Sequence, residues 1–294
     1  MRWKKVTLIG VGLLGGSIGL ALKKERLAAS VVGYVRRRAS ISDCKKAGVV
    51  DFATLDLEQA VTGADLIVFC TPIAQMARLA RQMVPFLQKG ALITDVGSVK
   101  GSVVRQLEAI VKNKGVFFVG SHPMAGSEQA GVAASRAGLF RGAMVVISPG
   151  PNTPRSASRK VQRLWRSIGA RVMLLNAELH DDLVSRSSHL PHVVASVLAH
   201  GVLSPDHPKQ QRLLCANGFR DTTRVASGSP EMWRDIALAN RKNIVSDLDD
   251  FLKQVRLFQK WLRQGNDKAI AEFFAEAKSR RDRWRATHIS PSPE

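Results

Sequence analysis

The strongest constraint on the fold is a glycine-rich segment near the start of the chain, GVGLLG at residues 10–15. Residues 5–9 are apolar enough for a short buried strand, and residues 13–27 have the spacing of a helix. Between a strand and a helix, the first glycine permits a tight turn, the second lets the backbone approach a pyrophosphate, and the third lets helix and strand pack closely. The segment therefore predicts a dinucleotide site that includes Gly10, Gly12, Leu13, Leu14 and Gly15.

Two other interpretations of this segment are a signal peptide and a glycine-rich turn that binds nothing. Arg2, Lys4 and Lys5 precede an apolar stretch at residues 6–22, as in a secretory signal. However, five glycines would weaken a membrane-inserting helix, and the stretch is short for a membrane span. The sequence thus predicts no membrane partner.

Apolar runs recur along the first half of the chain and are separated by helix-length segments. They lie at residues 31–34, 66–70, 91–94, 116–119 and 144–147. This alternation predicts an α/β Rossmann-type N-terminal domain with a parallel sheet. Ligands of such sheets bind beyond the carboxyl ends of the strands, so Thr71, Pro72 and residues 95–100 should border the cofactor.

Strand-like runs stop near Asn176, after a predicted helix at 156–168 and strand at 171–175. Helical spacing follows at residues 177–202, 230–262 and 267–285. The sequence predicts a dinucleotide-binding domain at 1–176, an all-helical substrate and dimerisation domain at 177–287, and a flexible tail at 288–294. The helices are apolar enough to need a partner surface, which favours a homodimer.

The chain is strongly basic, with 44 Lys and Arg against 24 Asp and Glu, a net charge of +20. This charge favours a small anionic substrate. A basic nucleic-acid-binding protein is an alternative, but no recognised nucleic-acid motif is present, so the sequence predicts no nucleic-acid partner. Three separated cysteines, Cys44, Cys70 and Cys215, predict neither a disulfide framework nor a metal site, and they suit a reducing cytoplasm.

Four further segments complete a motif set: GSHPMAGSE at 120–128, SSHLPH at 187–192, GFRDTTR at 218–224 and EMWRD at 231–235. In this order the segments resemble the prephenate/arogenate dehydrogenase family of tyrosine biosynthesis, over about residues 6–285. The resemblance implies an oxidative decarboxylation in which the substrate ring loses a hydride to a nicotinamide and its carboxylate as carbon dioxide. It leaves open whether prephenate, arogenate or both are used.

The resemblance implies that His122 is the catalytic base and that Ser98 hydrogen-bonds both His122 and the substrate. His122 is expected just after a strand end, and the near-neutral pKa of imidazole suits removal of the hydroxyl proton. The alternatives are a structural histidine in a turn and, for Ser98, a helix cap.

The resemblance also implies a set of substrate-binding residues in the helical half. Arg224 is the expected carboxylate clamp, since a guanidinium donates two parallel hydrogen bonds. Ser188 and His192 are four residues apart on one helical face, and Pro191 should kink that helix. Arg220 and Trp233 are further substrate-binding candidates. Alternatively, Arg220 is a solvated surface residue and Trp233 anchors the helical core. His189 and His192 lack the carboxylate or cysteine ligands of a metal site.

The end of the second strand, YVRRRAS at residues 34–40, predicts the cofactor. Enzymes that bind NAD usually have an acidic residue there for the ribose 2′-hydroxyl, and this chain has Val35. Arg36, Arg37 and Ser40 offer positive charge and donors for a 2′-phosphate, so the sequence favours NADP, with NAD possible. Another two-domain nicotinamide enzyme, of the hydroxyacid dehydrogenase or imine reductase type, remains an alternative.

Overall fold

A computed structural model describes residues 2–126 and 129–288. Eight strands form one sheet in the order β3-β2-β1-β4-β5-β6-β7-β8. Their bounds are β1 Trp3–Ile9, β2 Ala28–Tyr34, β3 Phe52–Thr54, β4 Leu66–Phe69, β5 Leu92–Asp95, β6 Phe117–Pro123, β7 Met144–Pro149 and β8 Arg171–Leu174. All pairs are parallel except β6 with β7.

Alternate residues of the central strands pack in two separate apolar clusters. Val6 and Leu8 of β1 belong to one cluster, whereas Ile9 and the β4 residues Ile67 and Phe69 belong to the other. Because side chains alternate across a strand, the clusters lie on opposite faces of the sheet and must be covered by helices on both sides. The order of the strands reverses between β1 and β4, which opens a crevice at their carboxyl ends.

The described chain also contains thirteen α-helices. Six follow strands: α1 Leu13–Lys24, α2 Arg38–Lys46, α3 Leu57–Val61, α4 Ile73–Met83, α5 Gly101–Val111 and α6 Arg155–Ser167. Seven come after β8: α7 Ala177–Val184, α8 Leu190–Val202, α9 Gln210–Leu213, α10 Asn217–Thr223, α11 Pro230–Ala239, α12 Arg241–Gln264 and α13 Asp267–His288. None of the described helices is long and apolar enough to cross a membrane.

The predicted fold class, a Rossmann-type sheet followed by helices, is confirmed. Three details of the predicted strands were wrong. The short strand β3 was missed because Phe52–Thr54 is too brief to show a pattern. The sheet is not wholly parallel, since β7 runs against β6. Finally, β6 continues to Pro123, so His122 lies within a strand and pairs with Val146 rather than following a strand end.

The helical half also differs from its prediction at two points. Residues 177–202 contain a π-helical turn, Ser185–His189, and Pro191 lies in the first turn of α8 instead of kinking a helix interior. The π-helical turn continues directly into α8, since the main-chain N–H of Leu190 donates to the carbonyl of Ser185. The predicted helix at 230–262 is interrupted at Asn240, which separates α11 from α12.

The chain divides into two compact units, the first ending at Ile244 and the second beginning at Val245. Helices α7 to α11 therefore belong to the same unit as the sheet. The boundary at residue 176 between a dinucleotide-binding and a helical domain stays a prediction. Of the predicted flexible tail, residue 288 ends α13 and residues 289–294 lie outside the described residues.

Replacement of Gly19 by Ala should destabilise the protein. A Cβ at Gly19 would overlap the carbonyl oxygen of Val49, a backbone atom that cannot move by rotation of a side chain. Alanine normally stabilises a helix interior by up to about 1 kcal/mol relative to glycine, but overpacking costs about 1–3 kcal/mol. We expect a net loss in the free energy of unfolding, measured by urea denaturation.

Gly218→Ala is the matched control, since no described atom lies within 4 Å of a Cβ at this position in α10. It should leave stability unchanged or raise it. Equal effects of the two substitutions would contradict the close approach of α1 to Val49.

Candidate active site

The turn between β1 and α1 has the geometry of a pyrophosphate site. Gly10 has a φ of +93°, which favours glycine. A Cβ at Gly15 would overlap the carbonyl oxygen of Gly10, so the third glycine is required for close packing. At Gly12, by contrast, no described atom lies within 4 Å of a Cβ. The backbone of Gly12 is therefore open to a ligand at the start of α1.

The donors around this opening fit the phosphates of a dinucleotide. No side chain caps the N-terminus of α1, and its first turn, which includes Leu13 and Leu14, has no acidic residue. Its free N–H groups and the helix dipole favour a negative group. Thr71, after β4, packs against Gly10 and has a buried hydroxyl with no hydrogen-bond partner among the described residues. Pro72 follows it as the N-cap of α4.

The end of β2 carries a cluster of positive side chains. Val35 is buried in the apolar cluster, so it contributes no polar contact at this strand end. Arg36, Arg37 and Arg38 are exposed, and Arg37 is the N-cap residue of α2. Ser40 lies in the first turn of this helix, which has no acidic residue. The predicted cofactor residues thus come together around the carboxyl ends of β1, β2 and β4.

His122 on β6 is the end of a buried hydrogen-bonded relay. Its Nδ1 lies 2.9 Å from Nε2 of His180 on α7, and Nδ1 of His180 lies 2.8 Å from Oδ1 of Asp181. The Asp181 carboxylate also accepts the main-chain N–H groups of Lys100 and Gly101, at 2.7 and 2.8 Å. Asp181 is thus held by the first turn of α5.

The relay determines which nitrogen of His122 can act as a base. The Asp181 carboxylate can only accept, so Nδ1 of His180 donates and its Nε2 accepts from Nδ1 of His122. Nε2 of His122 is then left as an unprotonated acceptor. Burial holds the pKa of His122 well below its usual value, and neighbouring His180, Lys100 and His189 lower it further. Burial also lowers the pKa of His180, although its hydrogen bond to Asp181 acts in the opposite direction. Burial therefore favours the neutral form of both rings.

A second buried network supports the strand that carries His122. The Asp95 carboxylate at the end of β5 forms an ion pair with Nζ of Lys100 and accepts the main-chain N–H of Ser121 at 3.0 Å. The hydroxyl of Ser121 is 2.9 Å from that of Thr94. These bonds connect the loop after β5 to the residue next to His122.

His192 and Trp233 form one wall of a cavity of about 670 Å³ between α8 and α11. Their rings stack with centroids 3.4 Å apart. Nε2 of His192 and Nε1 of Trp233 are buried, have no hydrogen-bond partner among the described residues, and lie beside Gly228, where a Cβ would come within 3.1 and 2.6 Å of them. His189 also lines the cavity, and Asn240 joins it to the relay through bonds to Nδ1 of His189 (3.1 Å) and the carbonyl of Asp181 (2.8 Å).

The other predicted substrate residues lie outside this cavity lining. Arg224 is exposed and begins a 3₁₀ turn, Arg224–Ser227, that packs against α8. The pKa of His192 is lowered overall. Burial lowers it, and a hydrogen bond to the Val225 backbone in the same turn offsets only part of that effect. Arg220 is exposed and donates to Asn217 at 2.8 Å. Ser188 lies half-buried in the π-helical turn.

The expected hydrogen bond from Ser98 to His122 is not formed within the described residues. Ser98 is half-buried in the loop after β5, and His122 pairs with His180 instead. The sequence analysis missed His180 and Asp181, and it placed Asp95 and Lys100 only in a loop expected to border the cofactor, without predicting their ion pair. The only signal for the first two is the pair HD at 180–181 in an otherwise amphipathic helix, and a buried relay cannot be inferred from adjacent polar residues.

The fold and this arrangement define a class of protein: a dinucleotide-dependent oxidoreductase with a neutral buried histidine near the cofactor crevice. Comparison with known proteins identifies the family. The model of the prephenate dehydrogenase nucleotide-binding domain matches residues 18–174, and that of the prephenate dehydrogenase dimerization domain matches residues 176–276. The chain belongs to the prephenate dehydrogenase family.

Individual relatives agree with the family models. Prephenate dehydrogenase of Bacillus subtilis is 34% identical over 94% of this chain and 75% of its own length. Cyclohexadienyl dehydrogenase of Zymomonas mobilis is 33% identical over 97% and 98% of the two chains. The crystal structure of prephenate dehydrogenase from A. aeolicus with hydroxyphenyl propionate and NAD+ is 31% identical over 96% and 99%, with a TM-score of 0.90.

The buried relay should make stability depend on pH. Because the pKa of His122 is held down only in the folded chain, the unfolded chain binds the additional proton as the pH falls below about 6.5. The free energy of unfolding should then decrease by about 1.4 kcal/mol per pH unit for this residue. Urea denaturation between about pH 6 and 5 should show a shallower slope for His122→Asn than for the wild type. Identical slopes would contradict a neutral, buried His122.

Proposed function

We propose that this protein catalyses the oxidative decarboxylation of prephenate, arogenate or both, with NADP as the preferred cofactor. The products would be 4-hydroxyphenylpyruvate from prephenate and tyrosine from arogenate. The observation that carries the proposal is the relay from Asp181 through His180 to His122, in a chain of the prephenate dehydrogenase family. The relay leaves Nε2 of His122 as an unprotonated acceptor within a dinucleotide-binding fold.

In this mechanism His122 removes the proton of the ring hydroxyl. Nε2 accepts that proton while Nδ1 continues to donate to His180. The positive charge formed on His122 is then stabilised through the relay by the Asp181 carboxylate, as in other carboxylate-oriented histidines. A nicotinamide held at the glycine turn would supply the hydride acceptor for the carbon that bears the hydroxyl, and loss of the carboxylate as carbon dioxide would make the ring aromatic.

The substrate would lie against the wall formed by His192 and Trp233. Both residues line the cavity of about 670 Å³, which is large enough for a small ring compound. Arg224, in the turn that packs against α8, is our candidate for the carboxylate clamp, with Arg220 and Ser188 as further contacts. Ser98, in the loop beyond β5, is positioned near the carboxyl edge where cofactor and substrate meet, and it is our candidate for a substrate hydrogen bond.

The proposal is tested by steady-state kinetics with prephenate and arogenate, each with NADP and NAD. Formation of the reduced cofactor and of the aromatic product in equal amounts is expected with at least one substrate. Absence of turnover in all four combinations would overturn the proposed function. The ratio of kcat/KM values for the two substrates would identify the preferred one.

His122→Asn should lower kcat by about 10²–10⁴-fold, because this is the usual contribution of a general base. The Kd for the cofactor should change little, since the glycine turn and Thr71 lie on other strands. His207→Asn, an exposed position outside the site, is the matched control and should keep wild-type kcat. Near-normal turnover of His122→Asn would remove His122 from the mechanism.

The preference for NADP rests on the positive cluster after β2. Three exposed arginines lie beside an uncapped helix N-terminus, and no described carboxylate occurs in that first turn to accept a ribose hydroxyl. A 2′-phosphate would gain charge-assisted hydrogen bonds from the arginines, the N-terminus of α2 and Ser40. A carboxylate at position 35 would repel the phosphate, and Val35 carries none.

The double substitution Arg36→Gln and Arg37→Gln should lower kcat/KM for NADP by about tenfold or more, because two charge-assisted bonds are lost. The value for NAD should change much less, so the preference moves toward NAD. Lys45→Gln with Lys46→Gln removes the same charge from the other end of α2 and should alter neither value. A wild-type preference for NAD would contradict the assignment before any variant is made.

We further propose a cytoplasmic homodimer assembled through the helical part of the chain. Within the second compact unit, the large apolar side chains Phe251, Leu252, Val255, Leu262 and Phe274 are all exposed. Exposed apolar area of this kind is typical of a surface covered by a partner. Residues 176–276 also match the family's dimerization domain.

A further inference from the structure

Lys100 and Asp95 are a fully buried ion pair that the proposed mechanism does not use. The accessible surface of both side chains is 0%. A buried ammonium is costly unless it is paired and hydrogen-bonded, so its presence next to an active site needs a reason. Packing alone could be provided by methionine or leucine, which are of similar size and carry no charge.

The fold makes specific room for this lysine. A Cβ at Gly120 would lie 3.1 Å from Cδ of Lys100 and 3.0 Å from the carbonyl oxygen of Ser148. Gly120 on β6 therefore allows the lysine side chain to pass beside the strand that carries His122. The ammonium group ends at Oδ2 of Asp95, which also accepts the main-chain N–H of Gly97 at 2.9 Å.

Lys100 is connected to His122 by two separate routes. Its main-chain N–H holds the Asp181 carboxylate, which orients His180 against His122. Its ammonium holds the Asp95 carboxylate, whose other oxygen accepts the N–H of Ser121, the residue before His122. One residue thus supports both ends of the hydrogen bond between His122 and His180.

On the basis of the function proposed above, we propose that Lys100 is a positioning residue for His122. It keeps His122 and His180 in hydrogen-bonding geometry. Its buried charge also opposes protonation of the His122 ring before substrate binds. The arrival of an anionic substrate then adds negative charge near the ring and favours its protonation. His122 thus becomes a stronger base only when the substrate, whose hydroxyl proton it removes, is bound.

The charged and titratable groups around His122 come from three parts of the fold. His180 and Asp181 belong to α7, His189 to the π-helical turn, and Lys100 and Asp95 to the segment between β5 and α5. Burial and the nearby charge of Asp95 raise the pKa of the Cys70 thiol, which therefore stays neutral. Lys100 is the only lysine or arginine among the groups that shift the pKa of His122, and it lowers that pKa.

The test is the titration of His122 in the intact, cofactor-free protein, followed by NMR of ¹⁵N-labelled histidine side chains and assigned with His122→Asn. Lys100→Gln retains a donor toward Asp95 but removes the charge, and it should raise the titration midpoint by about one unit or more. The double variant Lys100→Gln, Asp95→Asn leaves no uncompensated charge and should also titrate above the wild type. Lys112→Gln, at the exposed end of α5, is the control and should leave the midpoint unchanged.

The same variants should move the acidic limb of kcat/KM to higher pH by the same amount, which a purely structural role would not do. A midpoint in both Lys100 variants equal to the wild type would overturn the proposal, as would failure of both to fold, since that would make the role of Lys100 structural. If only Lys100→Gln fails to fold, the titration midpoint of the double variant tests the proposal. An inactive wild type with the expected midpoints would reject the proposed function and retain the role of Lys100.

Discussion

The structure of the site depends on one carboxylate, that of Asp181. It caps α5 from a position 80 residues further along the chain, where it accepts the N–H groups of Lys100 and Gly101. Helix N-termini attract negative charge, and no side chain of α5 itself provides the cap. The same carboxylate orients His180. A single interaction therefore joins the helices after the sheet to β5 and β6 and sets the geometry of the relay.

The relay shows why a buried histidine needs more than one partner. An isolated imidazole in an apolar environment can present either tautomer, whereas the order Asp181, His180, His122 permits only one arrangement of protons. The arrangement has a thermodynamic cost, because both rings are kept neutral in the folded chain and the unfolded chain is free to bind protons. A functional site of this kind lowers stability in acid in exchange for a defined base.

The dinucleotide crevice combines two opposite requirements on glycine. Gly15 and Gly19 are needed because backbone atoms of Gly10 and Val49 lie where a Cβ would be, whereas Gly12 leaves open space at the start of α1. Close packing on one side of the helix positions its N-terminus, and the open side receives the ligand. The exposed arginines after β2 add positive charge at the same edge of the sheet, in a chain whose composition is strongly basic.

The sequence by itself determined the Rossmann-type sheet and the helical second half, because these follow from local periodicity. The glycine turn predicted where a dinucleotide would bind, and the family resemblance predicted roles for His122 and His192. Only the tertiary structure decided that His122 lies within β6, that Asn240 ends α11 where its amide contacts Asp181 and His189, and that Asp181 caps α5. Such partners are separated by tens of residues along the chain, so no local pattern predicts them. Which residue pairs with each buried charge depends on how the strands and helices pack, and that packing depends on all the long-range contacts together.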